Sequence, residues 1–412
     1  MSTWSPQQDA ALLAVSRWLS DPGGQQVFRL FGYAGTGKTT LAQHLAEDAG
    51  RVLFAAYTGK AAHVLRQRGC PGSSTIHSLI YHTKERGRAE LLETEAQLAR
   101  LMTELRAQGA TPEQVEAHRR VADMRELLDR LRAQLSQPAF SLNPESEVRG
   151  ADLVVIDECS MVDGRMGDDL LSFGTKVLVL GDPAQLPPVM GGGFFTEGHA
   201  PDVMLEEIHR QAADSAIIRL ATRVRGGERP GLSDEEGCRV IDVDDMSTEL
   251  ALSADQLLVG RNATRHAYNR RMRALLQRSR LDAPEAGDKL VCLRNNHDTG
   301  LLNGAVWLAR DVGAVTEDRV YMEIVPEEDG WPLQVEAHAH YFRGEEERLA
   351  WWERKEAEEF DYGYAMTVHK AQGSQWDEVL LFDESWCFRA DRARWLYTGI
   401  TRAAERLTVV RM

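Results

Sequence analysis

A glycine-rich loop between a strand and a helix is the feature that most limits the possible fold of this chain. Residues 30–42, LFGYAGTGKTTLA, fit the pattern GxxxxGK[ST] through Gly32, Gly37, Lys38 and Thr39. The apolar segment VFRLFG precedes the loop and the helical pattern KTTLAQHLAEDA follows it. In such a loop, backbone N–H groups and the helix N-terminus bind phosphates, while the lysine reaches the β- and γ-phosphates and the hydroxyl ligates Mg²⁺. The sequence therefore predicts an α/β fold that binds a nucleotide, rather than a glycine-rich turn with an incidental lysine.

Two adjacent carboxylates follow a buried strand further along the chain. In ADLVVIDECSMVD, the β-forming residues 153–156 predict a parallel strand that ends at Asp157 and Glu158. Ligands gather at the carboxyl ends of parallel strands, so both carboxylates are expected near the phosphates. Asp157 would hold Mg²⁺ through water, and Glu158 would orient and deprotonate the attacking water. The pattern indicates that the nucleotide is hydrolysed.

A third strand ends in a polar, proline-rich turn. In TKVLVLGDPAQLPPV, residues 177–180 predict a buried strand, and Gln185 lies shortly after it. A glutamine at this place could contact the γ-phosphate while the rigid segment with Pro187 faces a second surface. Composition alone is also compatible with a proline-bounded turn.

Length, charge and cysteine usage limit the class of protein. A chain of 412 residues is too long for one ordinary core, so we expect two main domains with insertions. No run of 18 apolar residues and no basic-then-apolar N-terminal segment occurs, so we expect a cytoplasmic protein with no membrane contact. Its five cysteines form no C-x-x-C pair, which fits a reducing compartment. The net charge of -15 means that any nucleic-acid site must be a local groove and not a basic surface.

The three stretches described above resemble motifs I, II and III of superfamily 1 helicases, and QLPPV is similar to the RecD/Dda-like branch of that family. Further stretches follow in the family's order. WSPQQDAA resembles the Q motif, AAYTGKAA motif Ia, SSTIHSLI motif Ib, LLVGRNATRHAYN motif IV, YAMTVHKAQGSQWDEVLL motif V and WLYTGITRA motif VI. The resemblance extends from Ser5 to the last strand, RLTVV, and is interrupted by two insertions. It implies two RecA-like parallel-sheet lobes and an ATP-dependent 5′→3′ DNA helicase that uses ATP and Mg²⁺.

The resemblance also implies roles for individual residues. The catalytic set is Lys38, Glu158, Gln185 and two arginine fingers, Arg210 and Arg402. Contacts to ATP come from Gln8, Gly35, Thr36, Gly37, Lys38, Thr39, Thr40 and Gln375, and the metal is held by Thr39 and Asp157. Contacts to the nucleic-acid strand come from Thr58, Lys60, Thr75, His77, Pro187, Asn262, Thr367, His369 and Lys370.

Some of these positions depart from the family or have a simpler explanation. Gln375 stands where many members have a ribose-binding glutamate, and His209 stands where some have an adenine-stacking tyrosine. From the residues alone, TVHKAQGSQ is also compatible with a polar helix cap, and Arg402 with a solvated salt bridge at a helix start.

The first insertion, residues 84–147, has apolar residues at seven-residue spacing on two segments joined by QGATPEQ. Gly109 suits a helix C-terminus, and Thr111 to Gln114 form a capping box with Pro112 at the first helical position. We predict an antiparallel helical hairpin at the place of subdomain 1B. RecD/Dda-like helicases carry a β-hairpin pin there, and Upf1-like relatives carry stalk helices. Two roles stay open: a strand-separating pin, and an arm for packing or partner docking.

The second insertion, residues 287–360, alternates apolar and polar residues around an Asn-Gly pair, which predicts short antiparallel strands of a small barrel. It resembles the SH3-like 2B domain of the same helicases. Five aromatic residues could stack on bases or pack in a core or between domains, and packing is favoured: Trp331, Tyr341, Phe342, Trp351 and Trp352. His338 and His340 have no evident third ligand, which disfavours a metal site.

These features lead to one overall hypothesis. We expect lobe 1A at 1–83 and 148–200, subdomain 1B at 84–147, lobe 2A at 201–286 and 361–412, and subdomain 2B at 287–360. The protein would be a monomer that binds single-stranded DNA and single-strand/duplex junctions, with a single-strand binding or replication/repair protein as a further partner. The alternatives are a Upf1-like RNA/DNA helicase and a single-strand translocase without strong unwinding. A P-loop enzyme that phosphorylates or ligates a small molecule is disfavoured, because it needs no second arginine-bearing lobe.

Overall fold

Two parallel β-sheets organise the protein, and each is the centre of one lobe. The computed structural model describes residues 4–47, 49–82, 84–107, 111, 114–115, 118–136, 141–187, 193–207, 215–280, 282–296, 299, 301–327, 332–350 and 352–412. Within these ranges, no helix is both long enough and apolar enough to cross a membrane.

The first sheet has six parallel strands, in the order β3-β2-β6-β7-β1-β8. The strands of this half of the chain are β1 (Val27–Gly32), β2 (Val52–Ala56), β3 (Ser74–Thr75), β4 (Tyr81–His82), β5 (Ser141–Leu142), β6 (Leu153–Asp157), β7 (Lys176–Gly181) and β8 (Val203–Leu205). The central strands are continuous apolar runs because helices cover both faces of the sheet. Both strands predicted at 153–156 and 177–180 are present, and their side chains are buried.

Helices connect these strands, and those of the first lobe are α1 (Pro6–Leu19), α2 (Lys38–Ala46), α3 (Gly59–Gln67), α4 (Ile76–Ile80) and α7 (Gly164–Leu171). Helices α5 (Lys84–Ala107) and α6 (Arg119–Ser136) belong to the first insertion. Leu30, Leu41 and Leu178 lie in the core of one face, and Phe31, Ile76 and Val179 lie in the core of the other.

The first insertion contains two helices, which we call the helical hairpin. Helices α5 and α6 pack against each other, and the hairpin starts from the antiparallel pair β4–β5. At the connection, the Thr111 hydroxyl accepts from the Gln114 N–H at 3.3 Å and the Gln114 side chain accepts from the Thr111 N–H at 3.0 Å, which is the predicted capping box. Val121 and Leu128 of the predicted stripe are buried. Gly109 and Pro112 lie outside the described residues.

The second sheet has six strands in the order β17-β11-β18-β19-β10-β9, all parallel except β9. Its strands are β9 (Ser233–Glu235), β10 (Cys238–Asp242), β11 (Gln256–Val259), β17 (Ala365–Thr367), β18 (Trp376–Asp383) and β19 (Ala403–Arg411). Its helices are α8 (Ala216–Arg225), α9 (Thr248–Ser253), α10 (Asn262–Leu275) and α12 (Arg392–Ile400). Helix α11 (Ala339–Arg343) belongs to the second insertion.

The second insertion is a five-stranded antiparallel sheet in the order β15-β14-β13-β12-β16. Its strands are β12 (Lys289–Cys292), β13 (Val306–Val315), β14 (Arg319–Pro326), β15 (Leu333–His338) and β16 (Phe360–Tyr362). Glu358, just before β16, exchanges backbone hydrogen bonds with β15 through the Glu336 carbonyl (2.8 Å) and the His338 N–H (3.0 Å). The two edges of the sheet therefore meet, and we call this unit the antiparallel barrel.

Two buried ion pairs fix the antiparallel barrel to the second lobe through α10. Arg265 lies 2.9 Å from Asp361, and Arg273 lies 3.0 Å from Asp288. All four side chains are almost fully buried, so removing one partner would leave an uncompensated charge.

The aromatic residues of the barrel behave mainly as core residues. Tyr341 and Phe342 are buried, which confirms the packing interpretation for these two, whereas Trp352 is 59 % exposed. Trp331 and Trp351 lie outside the described residues. The His338 ring nitrogen lies 3.1 Å from the Arg319 guanidinium. Among the described residues, no group of three or more His, Cys, Asp or Glu side chains could hold a metal ion.

Two predicted domain boundaries need correction. Strand β8 pairs with β1, so the first lobe continues at least to Leu205 and does not end at residue 200. This strand has only three residues after a polar stretch, which hides it from pattern analysis. Strand β16 pairs with β12, so the second insertion ends at Tyr362 and not at residue 360.

Candidate nucleotide and nucleic-acid sites

A cavity of about 490 Å³ lies between the two lobes and brings together most residues predicted for nucleotide chemistry. The predicted residues on its wall are Gly35, Gly37, Lys38, Thr39, Thr40, Asp157, Glu158, Gln185, Gln375 and Arg402. A larger cavity of about 920 Å³ is lined by the first lobe alone and contains none of the predicted residues. The smaller cavity is therefore the candidate site.

The glycine-rich loop has the geometry of a phosphate cradle. Gly35 and Gly37 have φ values of 79° and 78°, a region that other residues rarely adopt. Gly37 precedes α2 and makes no side-chain cap, so the first N–H groups of the helix are available to an anion. The Lys38 ammonium donates to the carbonyls of Gly32 (2.7 Å) and Tyr33 (3.0 Å), which holds it over the loop.

A hydroxyl and a carboxylate meet at the predicted metal position. The Thr39 hydroxyl donates to the Asp157 carboxylate at 3.0 Å, and the other oxygen of that carboxylate accepts from the Glu158 N–H at 2.8 Å. Mg²⁺ prefers hard oxygen ligands and needs only one or two from the protein. The donor set of Thr39 and Asp157 therefore fits Mg²⁺.

Glu158 has a strained backbone and a perturbed carboxyl group. Its φ of 53° places a non-glycine residue in the left-handed region, which costs energy and often marks a functional position. Burial raises the pKa of its carboxyl group; the positive charge of Arg402 opposes this rise and the negative charge of Asp157 adds to it. A raised pKa suits a group that must accept a proton from water.

Arg402 enters the cavity from the second lobe. It is 6 % exposed, and its guanidinium donates to the carbonyls of Thr398 (3.1 Å) and Ser374 (3.2 Å) and to the Thr401 hydroxyl (3.2 Å). These bonds hold the side chain without neutralising its charge. The described residues do not give Arg402 the solvated salt bridge that its sequence pattern allowed. The second predicted finger, Arg210, lies outside the described residues, as does His209.

The loop after β7 connects the cavity to the second lobe. Gln185 lies on the cavity wall, and the next residue, Leu186, accepts from the Gln372 side chain (3.1 Å) and donates its N–H to the Thr398 hydroxyl (3.0 Å). The loop therefore touches both the nucleotide site and a second surface, as the sequence predicted, and it is more than a proline-bounded turn.

Gln8 and Thr36 are placed differently from the other predicted nucleotide contacts. Gln8 is almost fully buried, donates to the Thr36 carbonyl at 3.0 Å and accepts from the Ser5 N–H at 3.0 Å. Neither residue lies on the cavity wall. Gln8 thus attaches α1 to the phosphate loop, and its contact with adenine stays a prediction.

Three contacts in and around the cavity were missed at the sequence level. The Trp4 ring lines the cavity, Tyr397 of α12 accepts from the Ala34 N–H at 3.1 Å, and the Arg225 guanidinium lies 3.3 Å from the centre of the Tyr33 ring. Only the position of Trp4, the first residue of the Q-like stretch WSPQQDAA, was a usable signal. The other two contacts join the lobes, and no local pattern predicts such pairs.

The first-lobe residues predicted to contact a nucleic-acid strand lie at two helix starts. Thr58 caps α3 by accepting from Ala61, and Thr75 caps α4 by accepting from Ser78. Lys60 and Thr75 are largely buried in this arrangement. Burial lowers the pKa of His77, so this ring is neutral near pH 7 and would contact a strand by stacking or hydrogen bonding.

The second-lobe residues of this group lie near one edge of their sheet. Asn262 is exposed at the start of α10, Thr367 is buried at the end of β17, His369 is half-buried, and Lys370 is exposed. The half-buried Pro187 belongs to the loop that joins the lobes.

The two lobes touch at one of the predicted strand contacts. Gly373 packs on α3 so tightly that a Cβ atom there would lie 3.1 Å from the Thr58 hydroxyl and 2.9 Å from the Ala61 Cβ. Thr58 of the first lobe therefore lies against the segment of the second lobe that follows Lys370.

The fold and the cavity define a two-lobed P-loop protein with an arginine supplied across the cleft. The AAA domain family matches residues 4–241, more than half of the chain, and the UvrD-like helicase C-terminal domain matches residues 362–410. The chain belongs to the AAA domain family. Its C-terminal part matches a helicase domain family, which agrees with the predicted resemblance to superfamily 1 helicases.

Two curated relatives support this assignment. The ATP-dependent RecD2 DNA helicase of Deinococcus radiodurans is 30 % identical in an alignment of 280 positions that covers 62 % of this chain and 36 % of the relative. The RecBCD enzyme subunit RecD of Mycobacterium tuberculosis is 26 % identical in an alignment of 457 positions that covers 98 % of this chain and 68 % of the relative. The chain thus spans about a third of the first relative and two thirds of the second.

Solved structures of Pif1 helicases have the same fold. One, from a study of DNA unwinding at forked double-stranded DNA by two coordinating Pif1 helicases, has a TM-score of 0.53 and 16 % identity, and the match covers 99 % of this chain and 92 % of that chain. Pif1 helicase from Candida albicans has a TM-score of 0.52 and 16 % identity over 100 % of this chain and 94 % of that chain. Bacteroides Pif1 bound to ssDNA has a TM-score of 0.52 and 15 % identity over 99 % of this chain and 92 % of that chain.

Proposed function

We propose that this protein is an ATP-dependent DNA helicase that moves 5′→3′ along single-stranded DNA and separates duplex DNA as it moves. One observation carries the proposal: Lys38, Asp157 and Glu158 of the first lobe and Arg402 of the second lobe line the same cavity. A nucleotide bound there would touch both lobes, so its hydrolysis would change their contact.

The residues of the cavity divide the chemistry of phosphoryl transfer among them. Lys38 and the loop amides hold the β- and γ-phosphates, and Glu158 positions and deprotonates the attacking water. Arg402 neutralises charge that develops on the γ-phosphate oxygens, and Gln185 senses that phosphate. Thr39 and Asp157 would hold Mg²⁺, which supplies positive charge between the phosphates when bound. Arg210 as a second finger and Gln375 as a ribose contact complete the proposed set.

Coupling to movement follows from where the contacts lie. The predicted strand contacts come from both lobes, and the lobes touch where Gly373 packs against Thr58. Closing of the lobes on ATP and opening after hydrolysis would shift one group of contacts past the other. The two parallel-sheet lobes act as RecA-like lobes 1A and 2A, with the helical hairpin as subdomain 1B and the antiparallel barrel as an SH3-like subdomain 2B.

The choice of DNA rests on the relatives, and the choice of polarity rests on the resemblance to the RecD/Dda-like branch. The D. radiodurans relative is named a DNA helicase, and Bacteroides Pif1 is described as bound to ssDNA. We propose single-stranded DNA and its junctions with duplex as the substrate, and a monomer as the working form.

Strand displacement tests the proposal directly. Forked DNA with a 5′ tail, a 3′ tail or an RNA tail is incubated with ATP and Mg²⁺, with the Lys38→Ala variant as the inactive control. We expect displacement from the DNA 5′ tail alone. Displacement only from 3′ tails would overturn the polarity, and a preference for RNA tails would favour a Upf1-like activity.

The helical hairpin supports a second candidate, a translocase that does not separate strands. Within the described residues, the hairpin consists of helices on a two-residue β stalk and contains no β-hairpin pin. Its ends are adjacent, because His82 pairs with Ser141, so residues 84–139 can be replaced by a short Gly/Ser loop.

This deletion separates the two roles of the hairpin. Loss of unwinding with retained strand-stimulated ATPase would assign strand separation to it. Unchanged unwinding would instead make it an arm for packing or partner docking.

A further inference from the structure

An exposed tryptophan stands beside the predicted strand contacts of the second lobe. Trp386, in the segment after β18, is 55 % exposed, which is unusual for so large an aromatic side chain in a protein surface. The Arg261 guanidinium lies 5.3 Å from the centre of its ring. The pair presents one flat aromatic face and one cation to solvent.

The pair is held in place by a buried carboxylate. Glu384 is fully buried, and one oxygen accepts from the N–H groups of Gly260 (2.8 Å) and Arg261 (3.1 Å). Its other oxygen accepts from the Arg261 side chain at 2.7 Å and from the Thr264 hydroxyl at 2.7 Å. This carboxylate therefore fixes both the backbone before Asn262 and the cation above the ring.

The same segment also packs on the other predicted strand contacts. The Phe388 ring lies 5.3 Å from the His369 ring, and a Cβ atom on Gly260 would lie 3.0 Å from Phe388. Trp386 thus belongs to a rigid unit that joins the Asn262 region to the His369 region.

We propose that Trp386, flanked by Arg261, is a stacking platform for one base of the bound single strand. Exposed aromatic rings accept any base on their face, and a nearby arginine adds attraction for base and backbone. Stacking suits an acidic protein, because it contributes affinity for the strand without requiring a basic surface. The proposal rests on the proposed function and adds to it a residue that contacts a base and not a phosphate.

Binding to a strand with and without bases tests the platform. The probes are a fluorescent oligo-dT of about 15 nucleotides and an abasic oligomer of the same length, titrated with the 412-residue chain. For Trp386→Ala, we expect the Kd for oligo-dT to rise roughly 5- to 150-fold, with the same salt dependence as the wild type. The Kd for the abasic oligomer is expected to be equal in both proteins.

Two further variants make the result decisive. Trp386→Phe keeps an aromatic face and is expected to restore most of the affinity. Trp352→Ala removes a tryptophan of similar exposure (59 %) from the antiparallel barrel and is expected to bind like the wild type. An equal loss in this control, or an equal loss on the abasic oligomer, would overturn the platform.

The failure of this inference is distinguishable from that of the proposed function. If the wild type binds oligo-dT and hydrolyses ATP while Trp386→Ala binds equally well, the platform is wrong and the exposed ring is better explained as a protein contact. If the wild type binds no single strand at all, the proposed function fails together with the platform.

Discussion

The Tyr397 hydroxyl donates a hydrogen bond of 2.6 Å to the Asp182 carboxylate, and this bond joins the second lobe to the first. The same hydroxyl accepts from the Ala34 N–H in the phosphate loop at 3.1 Å. Burial and the charge of Asp182 raise the pKa of Tyr397, so it keeps its proton at neutral pH. One side chain of α12 thus contacts the phosphate loop and the loop that carries Gln185.

We expect Tyr397→Phe to weaken the contact between lobes. The change leaves the buried Asp182 carboxylate without this donor, at a cost of about 1–3 kcal/mol. Both the Tm and the stimulation of ATPase by single-stranded DNA should fall. The control is Tyr321→Phe, at a tyrosine that is 42 % exposed on the antiparallel barrel. Wild-type melting and wild-type stimulation in Tyr397→Phe would contradict this role.

Glu158→Gln should stabilise the protein while abolishing turnover. A carboxyl group whose pKa is raised by folding stabilises the folded state at low pH and destabilises it above the raised pKa. The amide removes this cost, so the Tm at neutral pH should rise by about 2 °C. At a pH below the ordinary carboxyl pKa, the Tm should not change. Melting curves at several pH values test whether the Tm changes in this way, and the control is Glu197→Gln, at an exposed position. A lower Tm at neutral pH would show that Glu158 is a structural residue.

Local features of the site were predictable from the sequence, and contacts between distant segments were not. The phosphate loop, the strand before Asp157 and the capping box at Thr111 each depend on neighbouring residues, whose spacing carries the information. Arg402 shows the limit: its own pattern indicated a surface residue, and only the family resemblance indicated the cavity. Pairs such as Asp182 and Tyr397 are far apart in the chain, so no local pattern connects them.

The same limit explains the errors in the domain boundaries. Strand β8 is too short to show a period, and its place is decided by pairing with β1. The hydrogen bond from the Gln8 amide to the Thr36 carbonyl was likewise not predictable, because it depends on how α1 packs. The contact of Gln8 with adenine stays a prediction.

Arg402→Ala should lower turnover and also change its pH dependence. Loss of an arginine that faces the transferred phosphate costs about 10³-fold or more in rate. Because the charge of Arg402 lowers the pKa of Glu158, its removal should move the acidic limb of the residual ATPase profile to higher pH. Arg402→Lys should hydrolyse ATP slowly, but the acidic limb of its pH profile should stay at the wild-type pH. Arg406→Ala, at an exposed arginine paired with Glu378 at 2.6 Å, should have wild-type turnover. An unshifted limb in Arg402→Ala would disprove the coupling.

Glu384→Gln should destabilise the protein, which is the opposite of the effect at Glu158. Burial acts to raise the pKa of Glu384, but hydrogen bonds from Thr264, Arg261 and Gly260 together lower it below the ordinary value. Such a group stabilises the folded state above the ordinary carboxyl pKa, and this contribution is lost as the pH falls through the lowered value. The amide would also turn an NH₂ group toward N–H donors, so about 1–3 kcal/mol should be lost at pH 7.

The loss in the free energy of unfolding of Glu384→Gln should therefore become smaller toward acid pH. Denaturant unfolding at several pH values measures this loss. Glu405→Gln, at an exposed position on β19, should have no effect at any pH. Because Glu384 also fixes Arg261 and the start of α10, binding of oligo-dT should weaken in Glu384→Gln. A variant as stable as the wild type at pH 7 would mean that the four hydrogen bonds contribute little, and that Arg261 is held by other contacts.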